Sequence, residues 1–205
     1  MQYRTVPKEA ADEFIERRSR FIGAVRPVQT EEEAVAFIQQ KRSDHWDATH
    51  NCYAYVLREG QTRRYSDDGE PQGTAGVPML EVLLREEVTD LVVVVTRYFG
   101  GILLGAGGLV RAYSKAAKLA LDTSGIITMK LCAKGSLVCD YHQYGRLNSL
   151  APQFGGFVED AGFEENVTLR IVVPKGETAA FERELTEASC GTVTVQWTGE
   201  EYLPI

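Results

Sequence analysis

The chain of 205 residues is long enough for one large domain or two small ones. Its 44% hydrophobic and 25% charged residues are typical of an ordinary globular protein. No apolar run is long enough to cross a membrane, and the N-terminus has no apolar signal core. We therefore expect a cytoplasmic protein with no membrane partner.

The negative charge is concentrated towards the C-terminus. The formal net charge is −7. Residues 1–130 contain 17 Lys or Arg against 18 Asp or Glu, whereas residues 131–205 contain 5 against 11. Any nucleic-acid contact is therefore expected in the first part, as a local patch rather than a general positive field.

Neither the cysteines nor the histidines are spaced like metal ligands. There is no Cys-x-x-Cys pair, and none of the three histidines lies at ligand spacing from a cysteine. We expect reduced and mostly buried thiols, no metal and no cofactor. The cysteines are Cys52, Cys132, Cys139 and Cys190.

Helices and strands alternate through the first part. Thr30 predicts the N-cap of a helix, and Glu33 is expected to complete a capping box. Val35, Phe37 and Ile38 form the expected apolar set of this helix. A polar, glycine-rich loop is expected over 66–76. The remaining elements are predicted as strands over 19–28, 51–57, 63–66 and 90–97 and helices over 32–42, 77–86 and 108–121.

The composition shifts over 125–131, which predicts domains at 1–130 and 131–205. The second part is expected to have the βαββαβ order of a ferredoxin-like fold. The predicted fold class is therefore α+β with two domains. The expected elements are strands over 133–139, 156–161, 166–173 and 192–197 and helices over 144–151 and 178–188.

Five glycines separate the strand over 90–97 from the helix over 108–121. A glycine turn that leads from a buried strand into a helix resembles a phosphate-binding turn. However, the Gly-Lys-Ser/Thr of a P-loop and the spacing of a dinucleotide fingerprint are both missing. A packing role, an anion or RNA-phosphate contact and a nucleotide site all remain open. The glycines are Gly100, Gly101, Gly105, Gly107 and Gly108.

Arg111, Lys115 and Lys118 recur on one face of the helix over 108–121. No acidic residue occurs over 96–121, so we expect this stripe, with Arg97 nearby, to suit a polyanion backbone. A solvated polar face is the alternative. Tyr98 and Phe99 could stack on bases, and we expect Phe99 to be buried and Tyr98 to be partly exposed.

A second polar cluster surrounds His50. Asp47, His50 and Cys52 could act as acid, base and nucleophile, although no oxyanion element is identifiable nearby. The loop with Asp67, Asp68 and Glu70 could hold a divalent cation or form an exposed acidic turn.

The assembled pattern resembles the Impact family, and within it the bacterial YigZ-type branch. The resemblance covers nearly the whole chain and is most specific over VVTRYFGGILLG at 94–105. Further hallmarks are ATHNCYAY at 48–55, SDDGEP at 66–71 and GTAG at 73–76. His50, Asn51, Asp67, Asp68 and Glu70 belong to these polar motifs.

The resemblance implies an N-terminal domain similar to the fourth domain of elongation factor G, a fold related to ribosomal proteins and GHMP-type kinases. It implies a ferredoxin-like C-terminal domain similar to the fifth domain of that factor. The kinases' Pro-x-x-x-Gly-Leu-Gly-Ser-Ser loop does not occur here, which disfavours ATP chemistry. Eukaryotic members act as translational regulators, and the family implies no catalytic residues.

These observations predict a non-catalytic, translation-associated protein that binds RNA or the ribosome and regulates translation. Its expected contacts are Arg97, Tyr98, Arg111, Lys115 and Lys118. One alternative is an enzyme for a small or phosphorylated substrate that uses His50, Asp67, Asp68 and Glu70. The other is a module that binds a protein partner through the C-terminal domain.

Overall fold

The computed structural model describes residues 2–205, which fall into two compact units. One unit is Tyr3–Ile127, and the other is Thr128–Ile205 together with Gln2. Each unit packs helices on a sheet, so the fold is α+β with two domains. Among the described residues, no helix combines the length and the apolar character that a membrane span requires.

The N-terminal unit is built on a five-stranded antiparallel sheet in the order β2–β3–β6–β4–β5. Helix α1 packs on one face of the sheet, and α2 and α3 pack on the other. In chain order, the elements up to residue 124 are β1 (Gln2–Thr5), β2 (Ala10–Glu16), β3 (Ser19–Pro27), α1 (Glu31–Asp44), β4 (His50–Val56), β5 (Arg63–Ser66), α2 (Gly76–Arg85), β6 (Leu91–Tyr98) and α3 (Ala106–Ser124).

The four-valine run lies at the centre of this sheet. Val92 and Val94 pack against the α1 face, whereas Val93 and Val95 pack against the α2 and α3 face. All four side chains are fully buried. A central strand covered on both faces needs apolar residues at every position, so the run is apolar without alternation.

Helix α1 has the predicted N-cap, but its capping box and its set of buried residues differ from the prediction. Thr30 is the N-cap, and its hydroxyl accepts a hydrogen bond from the Glu33 amide at 3.2 Å. The Glu33 carboxylate accepts from the Gln29 amide instead of the Thr30 amide, so the capping box is not closed. Val35 is 44% exposed, and Ala34 takes the expected core position.

Strands β1 and β2 were not predicted from the sequence. β2 is an edge strand with mostly exposed residues, so its sequence shows no apolar alternation. It joins β3 through Arg17 and Arg18, which both have positive φ. Two-residue hairpin turns usually use Asn or Gly for this backbone, so the Arg-Arg pair gave no turn signal.

The C-terminal unit has the predicted βαββαβ order, and the four strands of that pattern are arranged β10–β7–β9–β8. The predicted helix over 144–151 is two helices that meet at Ser149, and the predicted last strand over 192–197 begins later. That strand is solvent-exposed over much of its length, so its sequence does not alternate between apolar and polar residues as a half-buried strand would. The elements are β7 (Ile127–Cys139), α4 (Tyr141–Asn148), α5 (Leu150–Gln153), β8 (Phe157–Phe163), β9 (Val167–Pro174), α6 (Thr178–Ala188) and β10 (Gln196–Pro204).

Helix α3 approaches the sheet most closely at Gly23 of β3. A Cβ at Gly23 would lie 2.2 Å from the Ala116 carbonyl oxygen, which no side chain tolerates. The glycine that permits close helix–sheet packing is therefore Gly23, and not Gly107 or Gly108 of the helix. A Cβ at Gly107 would meet only the end of the Arg111 side chain at 3.7 Å.

Replacing Gly23 by alanine should force α3 away from the sheet. We expect Gly23→Ala to lower the free energy of unfolding by about 1–3 kcal/mol, the usual range for overpacking. The measurement is the urea unfolding midpoint. Gly107→Ala is the control and should leave stability unchanged or raise it by up to about 1 kcal/mol. Equal midpoints for Gly23→Ala and the parent would contradict the packing assignment.

Candidate nucleic-acid interface

The glycine segment connects the end of β6 to the start of α3. Gly105 is the N-cap of α3 and has φ 73°, a left-handed backbone that favours glycine. A Cβ at Gly100 would lie 2.1 Å from the Arg18 carbonyl carbon, so this glycine allows the segment to lie against the β2–β3 turn. The Arg17 guanidinium also donates to the Leu103 carbonyl oxygen at 3.3 Å. The segment and the turn are therefore held together.

Cations from these two elements surround a concave surface of about 270 Å³. Arg111 and Lys115 are exposed on α3, and Arg17 reaches the same surface from the β2–β3 turn. The Lys115 ammonium lies 4.2 Å from the centroid of the Phe14 ring. We call this surface the cationic concavity; it is lined by Phe14, Glu16, Arg17, Leu104, Gly108, Arg111, Ala112 and Lys115.

Lys118, the third cation of the predicted stripe, does not join this surface. Its ammonium pairs with Asp122 one turn further along α3 and lies 3.6 Å from a Glu86 carboxylate oxygen. The hydrogen bond with Asp122 raises the pKa of Lys118. The expectation of an unneutralised Lys118 was wrong because its acidic partners lie outside the acid-free segment.

Arg97 is also in a different place from the one expected. It is 5% exposed, and its guanidinium donates to the Glu70 carboxylate at 2.6 Å. The Tyr113 hydroxyl donates to the same carboxylate oxygen at 2.7 Å, and burial raises the pKa of Tyr113. Arg97 is therefore an internal cation that links β6 to the 66–76 loop and to α3, and it is not a surface neighbour of the stripe.

Of the two aromatic residues after Arg97, Tyr98 is partly exposed as expected, whereas Phe99 is exposed and not buried as expected. Phe99 is 46% exposed, because the chain leaves the sheet after Tyr98 and the strand alternation stops there. Tyr98 is half-buried and donates to the Asp47 carboxylate at 3.1 Å. Phe99 is thus the aromatic side chain that is free to contact a ligand.

The acidic loop is neither an exposed turn nor a cation site. The Asp67 carboxylate accepts from the amides of Gly73, Ala75 and Gly76 at 2.8, 3.1 and 2.8 Å, which organises the loop and the start of α2. The Asp68 carboxylate accepts a hydrogen bond from the backbone amide of Asn51 at 2.7 Å. No group of three or more His, Cys, Asp or Glu within the described residues could hold a metal ion.

Asp68 has a second partner in Arg42, at 2.8 Å. The Asn51 side chain accepts from the Thr96 hydroxyl at 2.7 Å, so it serves the contact between β4 and β6. The polar residues of the 48–55 and 66–71 motifs therefore hold the strand ends and the loop together.

His50 and Glu70 are the titratable pair that the fold brings together. His50 Nδ1 donates to the Asp68 carbonyl oxygen at 2.8 Å, because a carbonyl can only accept. His50 Nε2 lies 3.7 Å from the second Glu70 carboxylate oxygen. Cys52 is different, since burial raises the pKa of its thiol and so disfavours the thiolate that a nucleophile requires.

His50, Glu70 and Arg97 lie at the polar side of a second concave space of about 400 Å³. Its other side consists mainly of apolar residues of the glycine segment and α3. We call it the apolar cavity; it is lined by Thr49, His50, Gly69, Glu70, Pro71, Arg97, Phe99, Leu103, Leu104, Gly105, Ala106 and Leu109.

Sequence reasoning missed Arg17, Phe14 and Leu104 as site residues. Arg17 and Phe14 belong to the hairpin that was not predicted, and Leu104 was considered only as part of the family motif. The Arg17–Arg18 dipeptide could have indicated a cationic surface, because its two adjacent cations lie outside every predicted helix and strand.

These features define a two-domain α+β protein with a glycine segment between a buried strand and a cationic helix. Residues 17–121 match the Impact N-terminal domain, and residues 137–192 match a domain of unknown function, DUF1949. The chain belongs to the IMPACT family.

Relatives in bacteria match most of the chain. IMPACT family member YvyE of Bacillus subtilis (strain 168) is 43% identical over 190 residues, which cover 92% of this chain and 88% of that protein. IMPACT family member YigZ of Escherichia coli (strain K12) is 37% identical over 180 residues, or 86% and 88% of the two chains. A crystal structure described as that of a hypothetical protein is 34% identical, with a TM-score of 0.61 over 98% of each chain.

Removing the Glu70 charge should expose how much the fold depends on the internal pair. We expect Glu70→Gln to lower the free energy of unfolding by about 3–5 kcal/mol, because Arg97 would keep a buried charge without its counter-ion. Urea unfolding measures the change. Glu13→Gln breaks an exposed pair with Arg20 in the same unit and should leave the midpoint unchanged. A Glu70→Gln variant as stable as Glu13→Gln would contradict the structural role of the pair.

Proposed function

We propose that this protein is a non-catalytic, translation-associated protein that binds RNA, free or within the ribosome, through the cationic concavity. The observation that carries the proposal is the convergence of Arg17, Arg111 and Lys115 on one concave surface. Glu16 is the one carboxylate that lines it. An excess of cations on a concave surface attracts phosphate groups and raises their local concentration.

The start of α3 adds to this attraction. The first amides of a helix have no intrahelical acceptor, and the helix dipole places partial positive charge at this end. No acidic residue occupies the first turn of α3, and Gly108 of that turn lines the concavity. The helix end and the three side chains therefore favour the same kind of ligand.

The distribution of charge supports a contact limited to the N-terminal unit. Residues 131–205 carry 11 acidic against 5 basic residues, which opposes binding of a polyanion there. The family resemblance connects such a contact to translation, because eukaryotic members act as translational regulators. Asp67 and Asp68 are engaged by amides of the chain, which gives less support to the enzyme alternative.

The test is RNA binding by the variant in which Arg17, Arg111 and Lys115 are all replaced by alanine. We expect the variant to bind a labelled RNA hairpin more weakly than the parent, and to co-sediment less with ribosomes. The dependence of log K on log salt should become shallower by about 1 for each phosphate contact removed. Fluorescence anisotropy between about 50 and 200 mM salt measures both quantities.

Lys118→Ala is the matched control, because Lys118 is on the same helix but is paired with acidic residues. It should bind RNA like the parent. If the triple variant retains the parent's affinity and salt dependence, the cationic concavity is not the RNA-binding surface.

A further inference from the structure

We propose that the apolar cavity binds one unpaired base of an RNA whose phosphates lie on the cationic concavity. This inference rests on the proposed function and assigns a ligand to a space that the phosphate contact does not use. The cavity combines a mostly apolar wall with a few polar groups, the usual composition of a small-ligand site. Its volume of about 400 Å³ falls within the range of such sites.

The apolar wall offers stacking and packing surfaces for a planar ring. Phe99 is 46% exposed and Leu103 is 79% exposed, although both line the cavity. Exposed apolar side chains of this size beside a concave space favour a ligand with an apolar face. Unpaired RNA bases are held in this way, by stacking on aromatic side chains while their edges form hydrogen bonds.

The polar side of the cavity offers groups that can bind the edge of a base. One Glu70 oxygen accepts from Arg97 and Tyr113, whereas the other, among the described residues, has only His50 Nε2 at 3.7 Å, beyond hydrogen-bond distance. That oxygen can accept from a base N–H. In neutral His50 the proton lies on Nδ1, so Nε2 is a second acceptor.

The Nε of Arg97 is an unsatisfied buried group beside this cavity. Its side chain lines the cavity and is more than nine-tenths buried, yet its Nε has no hydrogen-bond partner among the described residues. An unsatisfied buried donor is unfavourable, and such groups are rare in native proteins. The terminal nitrogens of Arg97 donate to Glu70 and Ser19, which fixes the guanidinium at the polar side of the cavity.

The two concave surfaces are adjacent, which suits the base and phosphate of one nucleotide. Leu104 lines both of them. Gly105 lines the apolar cavity and Gly108 lines the cationic concavity, and a helical rise of about 4.5 Å separates such positions. A sugar joins a base to its phosphate over a comparably short distance.

The experiment compares two fluorescein-labelled single-stranded RNAs of about ten nucleotides, one of uniform sequence and one abasic at every position. We expect the abasic RNA to bind the parent protein roughly 5- to 150-fold more weakly, the range for stacking of one base. The salt dependence should be the same for both RNAs, because both carry the same phosphates.

Ala106→Trp tests the place of the base. Ala106 is exposed at the first position of α3 and lines the cavity, so the larger ring should fill the space without disturbing the core. We expect this variant to bind both RNAs with the affinity that the parent has for the abasic RNA. Val110→Trp is the control, because Val110 is exposed on α3 but lines neither surface. It should preserve the difference between the RNAs.

The outcomes separate this inference from the function on which it rests. If both RNAs bind the parent equally and the cation variant weakens both, the phosphate contact is correct and the base site is wrong. If Ala106→Trp preserves the preference for the RNA with bases, the base lies elsewhere. If neither RNA binds, or the cation variant changes nothing, the proposed function fails and the base site fails with it.

Discussion

The buried pair between Arg97 and Glu70 is the interaction on which this end of the N-terminal unit depends. It joins the last residues of the central strand to the acidic loop, and Tyr113 attaches α3 to the same carboxylate. Burying two charges is unfavourable unless both are well bonded, which makes the loop conformation and the helix position depend on each other. Asp67 then organises the rest of the loop through the amides at the start of α2.

This pair also decides which cations are available to a ligand at the surface. Arg97 is neutralised inside the fold, whereas Arg17 and Arg111 remain at the surface beside the start of α3. The same pair forms the polar side of the apolar cavity, which lies next to the surface cations. The Arg97–Glu70 ion pair therefore stabilises the fold and also forms part of the candidate RNA site.

Local patterns predicted much of the fold. The valine run predicted the central strand, and Thr30 predicted the start of α1 from its N-cap chemistry. The irregular edge strand β2 was not predictable, because an exposed strand has no apolar period. The exposure of Phe99 was not predicted, because the alternation of buried and exposed residues along a strand does not continue once the chain leaves the sheet.

The candidate site was less predictable because it depends on contacts between distant residues. Glu70 and Arg97 are 27 positions apart, and no sequence pattern indicates that they form an ion pair. The stripe on α3 was identified correctly as a helix face, but Asp122 of the same helix and Glu86, just after the end of α2, neutralise Lys118. Arg17 reaches the site through a hairpin turn that only the three-dimensional structure shows.

Photo-crosslinking would test most directly that RNA lies over the glycine segment and the start of α3. The measurement uses RNA containing 4-thiouridine, irradiation, and mass spectrometry of the crosslinked peptides. We expect crosslinks in residues 99–109, with additional ones in the turn that contains Arg17. Crosslinks confined to residues 128–205, or to the β5 edge of the sheet, would contradict RNA binding over the glycine segment and the start of α3.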